Sequence, residues 1–233
     1  MPVEFGLGLV WYAVFVISTT FHEAAHGFAA LKLGDPTAHH AGLATLDPVP
    51  HIQRSPIGMV AVPIVSFLFG GWMIGWASTP YDPYWAQANR RKAAWTALAG
   101  PGANLALILL AAALIRVGMA LGLFAAPLES TWTQVTVAKS PGMVTSAAVV
   151  VSVLFSLNLI LLVFNLLPLP PLDGSEILML FLDDRTADRY RQFMAQPAAN
   201  MVGLVIAWNV IGGLLGPAHG LALNLLYPGA GYH

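Results

Sequence analysis

Long apolar runs separated by short polar stretches organise this chain. Residues 3–20 carry one charge, Glu4, while 55–81, 140–172 and 192–233 carry no Asp, Glu, Lys or Arg, and 93–115 is equally free of them. An uncharged apolar run of about 18 residues or more is long enough to cross a bilayer. The pattern predicts a first helix over 3–33, closed by Gly34-Asp35-Pro36, a stop signal. A polar loop follows to Arg54, containing His39, His40, Asp47 and His51. Residues 56–78 are apolar but interrupted by Pro63, Gly70-Gly71 and Gly75, and 79–92 reads as polar and extended. A third helix is expected over 93–123 and a fourth over 143–167, ended by the prolines of 168–171. A short helix should start near Asp173-Gly174, followed by an amphipathic connector over 183–196. The tail gives one more span, at about 198–215, and a short apolar piece after Pro217.

These elements imply an all-α polytopic membrane protein of about five to six membrane helices, with a re-entrant or broken second apolar segment and a short β-hairpin. One membrane-embedded domain covers 1–233, with its core at about 3–183 and a connector and hydrophobic tail at 184–233. Composition agrees: 57% of residues are hydrophobic and 9% charged, far too apolar for an ordinary soluble domain. The net charge of −1 argues against a nucleic-acid partner. The absence of cysteine excludes disulfides and thiolate metal sites. The first residues lack a basic leader, so the first helix is expected to be retained.

Charge also bears on how 56–78 sits. If it crosses the bilayer, the basic residues divide six to four between the two faces. If it dips and returns, Lys32 and Arg54 join Arg90, Arg91, Lys92, Arg185, Arg189 and Arg191, leaving Arg116 and Lys139 opposite. The excess of positive charge on cytoplasmic loops favours the second arrangement. It places the N-terminus outside and the end of the first helix toward the cytoplasm.

The stretch FHEAAHGFAA, at 21–30, puts two histidines and a glutamate inside the first apolar helix. His22 and His26 are four residues apart and share one helix face. Two imidazoles so spaced can hold one zinc ion, and Glu23 beside them can take a proton from water. The alternative is a set of polar residues hydrogen-bonded across helices. In lipid, ionisable groups are expensive, which favours the metal site. Catalytic zinc usually takes three protein ligands. With the acids in loops and at segment ends set aside, Asp173 and Glu176 remain. They fit a D-x-x-E helix cap. Asp173 nevertheless follows a broken membrane helix, where irregular backbone lines a cavity, and is expected as the third ligand.

Three stretches, FHEAAHGFAA, ALAGPGANL (97–105) and FNLLPLPPLDG (164–174), together resemble the site-2 protease family of intramembrane zinc metalloproteases, in the family's order. The resemblance implies one Zn²⁺ per chain on His22, His26 and Asp173, with Glu23 as catalytic acid and base. It implies substrate-placing or oxyanion-stabilising roles for Asn165 and Asn104. No PDZ or CBS domain is seen, so this looks like a compact form. The implied function is hydrolysis of peptide bonds in or near transmembrane segments of membrane-protein substrates, as in regulated intramembrane proteolysis. The implied partners are a transmembrane substrate, the lipid bilayer and a regulatory membrane protein. The implied location is a prokaryotic cell membrane, with the site toward the cytoplasm. A metal-ion transporter or a non-catalytic binder of membrane segments is the alternative.

Other features read more plainly. Gly100, Gly102 and Ala103 suit close helix packing. Asn158 shares a face with Asn165 and could simply join helices. His39, His40 and His51 read as loop histidines, and His219 and His233 carry no partner signal. Residues 76–83 read as an extended strand able to pair with a substrate backbone, or as a plain connector. Aromatic residues from Trp72 to Trp85 suit the membrane interface.

Overall fold

The computed structural model describes residues 5–71 and 73–232. Glu4, Trp72 and His233, named above, lie outside the described residues. Helix α1 spans Phe5–Leu33, and its buried face runs through Trp11, Val14, Phe15, Ser18 and His22 at helical spacing. The same spacing recurs on α6, Arg90–Ala120, through Ala94, Ala97, Gly100, Asn104, Leu107, Ala111 and Ile115. On α7, Met143–Asn165, it runs through Ala148, Val151, Phe155 and Asn158. These three helices pack together, and α10, Pro197–Leu226, lies against α7. All four are long and apolar enough to cross a membrane. Much of α10 presents large apolar side chains outward, among them Met201, Val205, Trp208 and Leu225. In a bilayer that surface meets lipid. The protein is an all-α polytopic membrane protein.

The second apolar segment is a hairpin. Pro48–Arg54 (α3) and Ile57–Gly70 are bent by 109°. The latter opens with a π-helical turn, Ile57–Ala61, and continues as α4, Val62–Gly70. Gly71 (φ 71°), in the left-handed conformation, turns the chain. Residues 73–82 then run back extended alongside the helix. The Ile74 N–H donates to Ser66 Oγ (3.0 Å), the Trp76 N–H to the Gly58 carbonyl (3.1 Å), and Arg54 Nε to the Ser78 carbonyl (3.0 Å). At the base the Asp82 N–H donates to Asp35 Oδ2 (2.9 Å). The segment therefore returns to the end of the bundle it left. Lys32 and Arg54 thus share an end with the start of α6, the arrangement that the charge distribution favours. The limbs meet closely: a Cβ on Gly58 would collide with the Trp76 carbonyl and indole, and one on Gly75 with the Gly58 carbonyl and Phe15.

Asp35 is the latch of this junction. It is 1% exposed and accepts hydrogen bonds from the Thr37 N–H and hydroxyl and from the Asp82 N–H. Burial pushes its pKa up, but those three donors outweigh that and hold the carboxyl below its ordinary value.

At the opposite end, the α6–α7 connection carries the short hairpin β1 (Phe124–Ala125) with β2 (Val137–Ala138). Ser152 Oγ accepts from the Val135 and Thr136 N–H groups, and the Tyr227 hydroxyl donates to the Val135 carbonyl. Phe124, Val135, Phe155, Leu223 and Tyr227 form the apolar core there.

Several expectations are corrected. The loop over 35–54 contains α2 (Thr37–His40) and α3, and 79–92 contains α5 (Pro83–Ala88) and the start of α6. Asp47 and Asp82 cap α3 and α5, each followed by a proline at the first helical position. His51 is not a surface loop residue: it is 1% exposed, and its Nε2 donates to the Thr45 carbonyl at 3.0 Å. His219 stacks on Trp132, with ring centroids 4.4 Å apart. The tail is one helix, with Pro217 inside it. Proline removes one ladder bond and crowds the carbonyl four residues before it, that of Gly213. Among the described residues the expected β-hairpin lies between α6 and α7.

Candidate metal centre

After α7 the chain makes an irregular turn over 166–172 and enters α8, Asp173–Leu178. Leu172, not Asp173, occupies the cap position of α8, and no side chain caps it. The Asp173 carboxylate is instead turned toward α1. Asp173 Oδ2 lies 3.1 Å from His22 Nε2, and Oδ1 lies 3.3 Å from His26 Nε2. The two Nε2 atoms are 3.1 Å apart. One ligand atom from each of the three residues falls within 4.8 Å of the others. Among the described residues this is the one cluster of three or more His, Asp or Glu side chains so arranged.

The second nitrogen of each ring is occupied. His26 Nδ1 donates to the Thr96 carbonyl on α6 at 2.8 Å. His22 Nδ1 donates to Asn104 Oδ1 at 2.7 Å. With Nδ1 carrying the proton, each Nε2 presents a bare lone pair. With both rings neutral, two lone pairs and a carboxylate converge on one point, a donor set suited to a cation. Ligands of a tetrahedral zinc ion, about 2.0–2.2 Å from the metal, lie about 3.3 Å from one another. The two imidazole nitrogens are 3.1 Å apart, close to that spacing, and the two Asp173 oxygens each face one ring, at 3.1 and 3.3 Å.

Gly100 faces both rings. A Cβ there would collide with the Nε2 atoms of His22 and His26. This glycine does more than the helix packing expected of it. Gly102, on the outer side of α6, has nothing within 4 Å.

Glu23 follows His22, is 7% exposed, and has its backbone carbonyl held by the Thr79 hydroxyl at 3.0 Å, which ties the returning limb of the hairpin to α1. Its carboxylate makes no hydrogen bond among the described residues. Asn165 is half-buried at the end of α7. Asn104 is fully buried, with Oδ1 on His22 and Nδ2 donating to Asn158 Oδ1 at 2.9 Å. Both its polar ends are used inside the protein, so the expected contact with substrate does not match its position. Asn158, at 0% exposure, donates to Ser18 Oγ (2.9 Å) and to the Leu154 carbonyl (2.8 Å). Its polarity deep in an apolar span was the available signal for a place in the site.

The sequence profile of Peptidase family M50 matches residues 10–210. The Bacillus subtilis protein named "Putative zinc metalloprotease YwhC" is 33% identical over 175 residues, covering 74% of this chain and 69% of that protein. The Rip2 proteins of Mycobacterium tuberculosis and Mycolicibacterium smegmatis, which carry the same designation, are 30% and 28% identical over 170 residues. Those matches cover 72% of this chain and 56% of theirs, so the chain spans a little over half the length of the Rip2 proteins. No solved structure matches. Matched over most of its length, from α1 through α10, the chain belongs to Peptidase family M50.

Proposed function

We propose that this protein is an intramembrane zinc metalloprotease that hydrolyses peptide bonds in or near transmembrane segments of other membrane proteins. The observation that carries the reading is the convergence of His22, His26 and Asp173 within the apolar bundle. These residues would hold one Zn²⁺, which supplies Lewis-acid chemistry, acidifying water and polarising a carbonyl. Glu23 takes a proton from the attacking water and returns it to the departing amine. Asn165, just before the turn to Asp173, is the polar group proposed to place the substrate carbonyl.

A membrane helix hides its carbonyls in its own hydrogen bonds and must unwind before attack. The extended limb at 73–82 supports this requirement. Among the described residues only Ile74, Trp76 and Asp82 of that limb donate backbone hydrogen bonds, which leaves an edge for an unwound strand. The site lies at the end of the bundle that gathers eight basic residues, Lys32, Arg54, Arg90, Arg91, Lys92, Arg185, Arg189 and Arg191. This supports a cytoplasmic-facing centre in a prokaryotic cell membrane. The substrate's own span and a regulatory membrane protein are the proposed partners. A transporter would string donors along a path, whereas the described residues offer one cluster.

The test is cleavage of a panel of single-span substrates by the purified chain, with and without a chelator, beside Glu23→Gln. Cleavage lost to the chelator, restored by zinc, and lost in Glu23→Gln with zinc retained supports the reading. Full cleavage by Glu23→Gln, or no zinc bound by the wild type, overturns it.

A further inference from the structure

We infer that Asn104 and Asn158 are positioning residues that fix which nitrogen of His22 faces the metal position. The inference rests on the proposed zinc site and deepens it. The argument starts at a group whose polarity is certain. The Leu154 backbone carbonyl only accepts, so the atom of Asn158 that meets it at 2.8 Å is Nδ2. Asn158 Oδ1 must then face Asn104, and the atom it meets at 2.9 Å is Asn104 Nδ2. Asn104 Oδ1 is left to meet His22 Nδ1 at 2.7 Å, and it can only accept. The proton of the neutral ring therefore sits on Nδ1, which leaves Nε2 bare. A carbonyl on α7 thus sets the tautomer of a ring on α1 through two amides, each 0% exposed. Without the relay a neutral imidazole can place its proton on Nε2, where it would point at His26 and Asp173. His26 needs no such relay, because the Thr96 carbonyl does the same work directly.

The experiment uses the full chain in detergent, with zinc affinity read by competition with a chromophoric chelator. The second readout is ¹⁵N-histidine NMR of the metal-free protein, with His22 assigned by comparison with His22→Gln. The variants are Asn104→Leu, Asn158→Leu and Asn158→Asp. Ser156→Ala, a buried polar residue of α7 outside the relay, is the control. Asn104→Leu and Asn158→Leu are expected to bind zinc about 10–100-fold more weakly, the usual range for outer-shell partners. Their His22 signals should show both tautomers. Asn158→Asp keeps an acceptor facing Asn104 Nδ2, and with its carboxyl neutral an O–H donor toward the Leu154 carbonyl, so in that form it is expected to stay close to wild type in both readouts. Asn104→Ser, which adds no bulk, replaces either leucine variant that fails to fold, with the same expectation of weakened binding.

Zinc affinity within twofold of Ser156→Ala and a single unchanged tautomer in the Asn104 variants would overturn the inference. So would loss in neutral Asn158→Asp as large as in Asn158→Leu, since packing rather than hydrogen bonding would then decide. A wild type that binds no zinc sinks the proposed function itself. A wild type that binds zinc with variants that bind equally well sinks only the relay.

Discussion

Gly100→Ala is the smallest change that should disable the centre. The added Cβ would stand 2.5 Å from His22 Nε2 and 2.6 Å from His22 Cε1, and closer still to His26 Nε2. Ordinary contact lies near 3.5 Å, so about 1 Å of movement is required. The rings cannot supply it freely, because His22 is held by Asn104 at 2.7 Å and His26 by the Thr96 carbonyl at 2.8 Å. Either those bonds break or α6 retreats from α1, carrying Asn104 and Thr96 with it. A misplacement of about 1 Å at a reacting centre costs on the order of 100-fold in rate. Gly102→Ala is the internal comparison. It lies on the same helix with nothing within 4 Å, and alanine in a helix is worth up to about 1 kcal/mol over glycine. The assays are zinc competition, thermal unfolding in detergent, and cleavage of a single-span substrate. Gly100→Ala should lose cleavage and zinc by about 100-fold each, while Gly102→Ala matches or exceeds wild-type stability. Equal zinc affinity and cleavage in the two variants would show that the close approach of α6 to the rings is unimportant.

The other predictions concern what supports the site. Asp35→Asn should lower the thermal midpoint of the protein at neutral pH. The Asp35 carboxylate is held below its ordinary pKa, so its stabilisation is present above the ordinary carboxylate range and lost as pH falls through the depressed value. The gap between the two proteins in a melt series should therefore close on acidification, and a gap that widens would contradict the latch. Gly203→Ala drives a Cβ into the Pro170 carbonyl, in the turn that leads to Asp173. Lower stability together with weaker zinc binding is expected by melt and metal competition, whereas wild-type behaviour would mean that α10 does not brace that turn. Asp173→Asn keeps the shape but removes the ligand charge. Its zinc affinity should fall by more than the ~10–100-fold typical of an outer-shell change, as read by the same competition.

The convergence of His22, His26 and Asp173 was legible because lipid makes ionisable groups conspicuous. His22, Glu23 and His26 stand in an uncharged run, and few acids other than Asp173 can reach them. The return of 56–78 to its own end was legible in the placement of Lys32 and Arg54. The starts of α3 and α5 were written as Asp47-Pro48 and Asp82-Pro83, but their shortness let prolines and histidines dominate the pattern. Other features needed coordinates. Periodicity places Gly100 on a buried face but cannot say that it touches two imidazoles. Asn158 and Asn165 share a helix face, and only the depth of each in the bundle separates a buried amide behind His22 from one at the helix end. The burial of His51 depends on how α3 folds back on α1, a tertiary fact without local trace.

The three side chains of the cluster come from opposite halves of the sequence, two from α1 and one from the turn after α7. A nascent chain that has inserted only its early helices therefore has no complete cage for a cation. A cation held by these three side chains would bind only once the chain has been made past residue 173. Such an ion would tie α1 to the turn after α7, and at 100 times its dissociation constant would add about 2.7 kcal/mol to the stability of the completed structure.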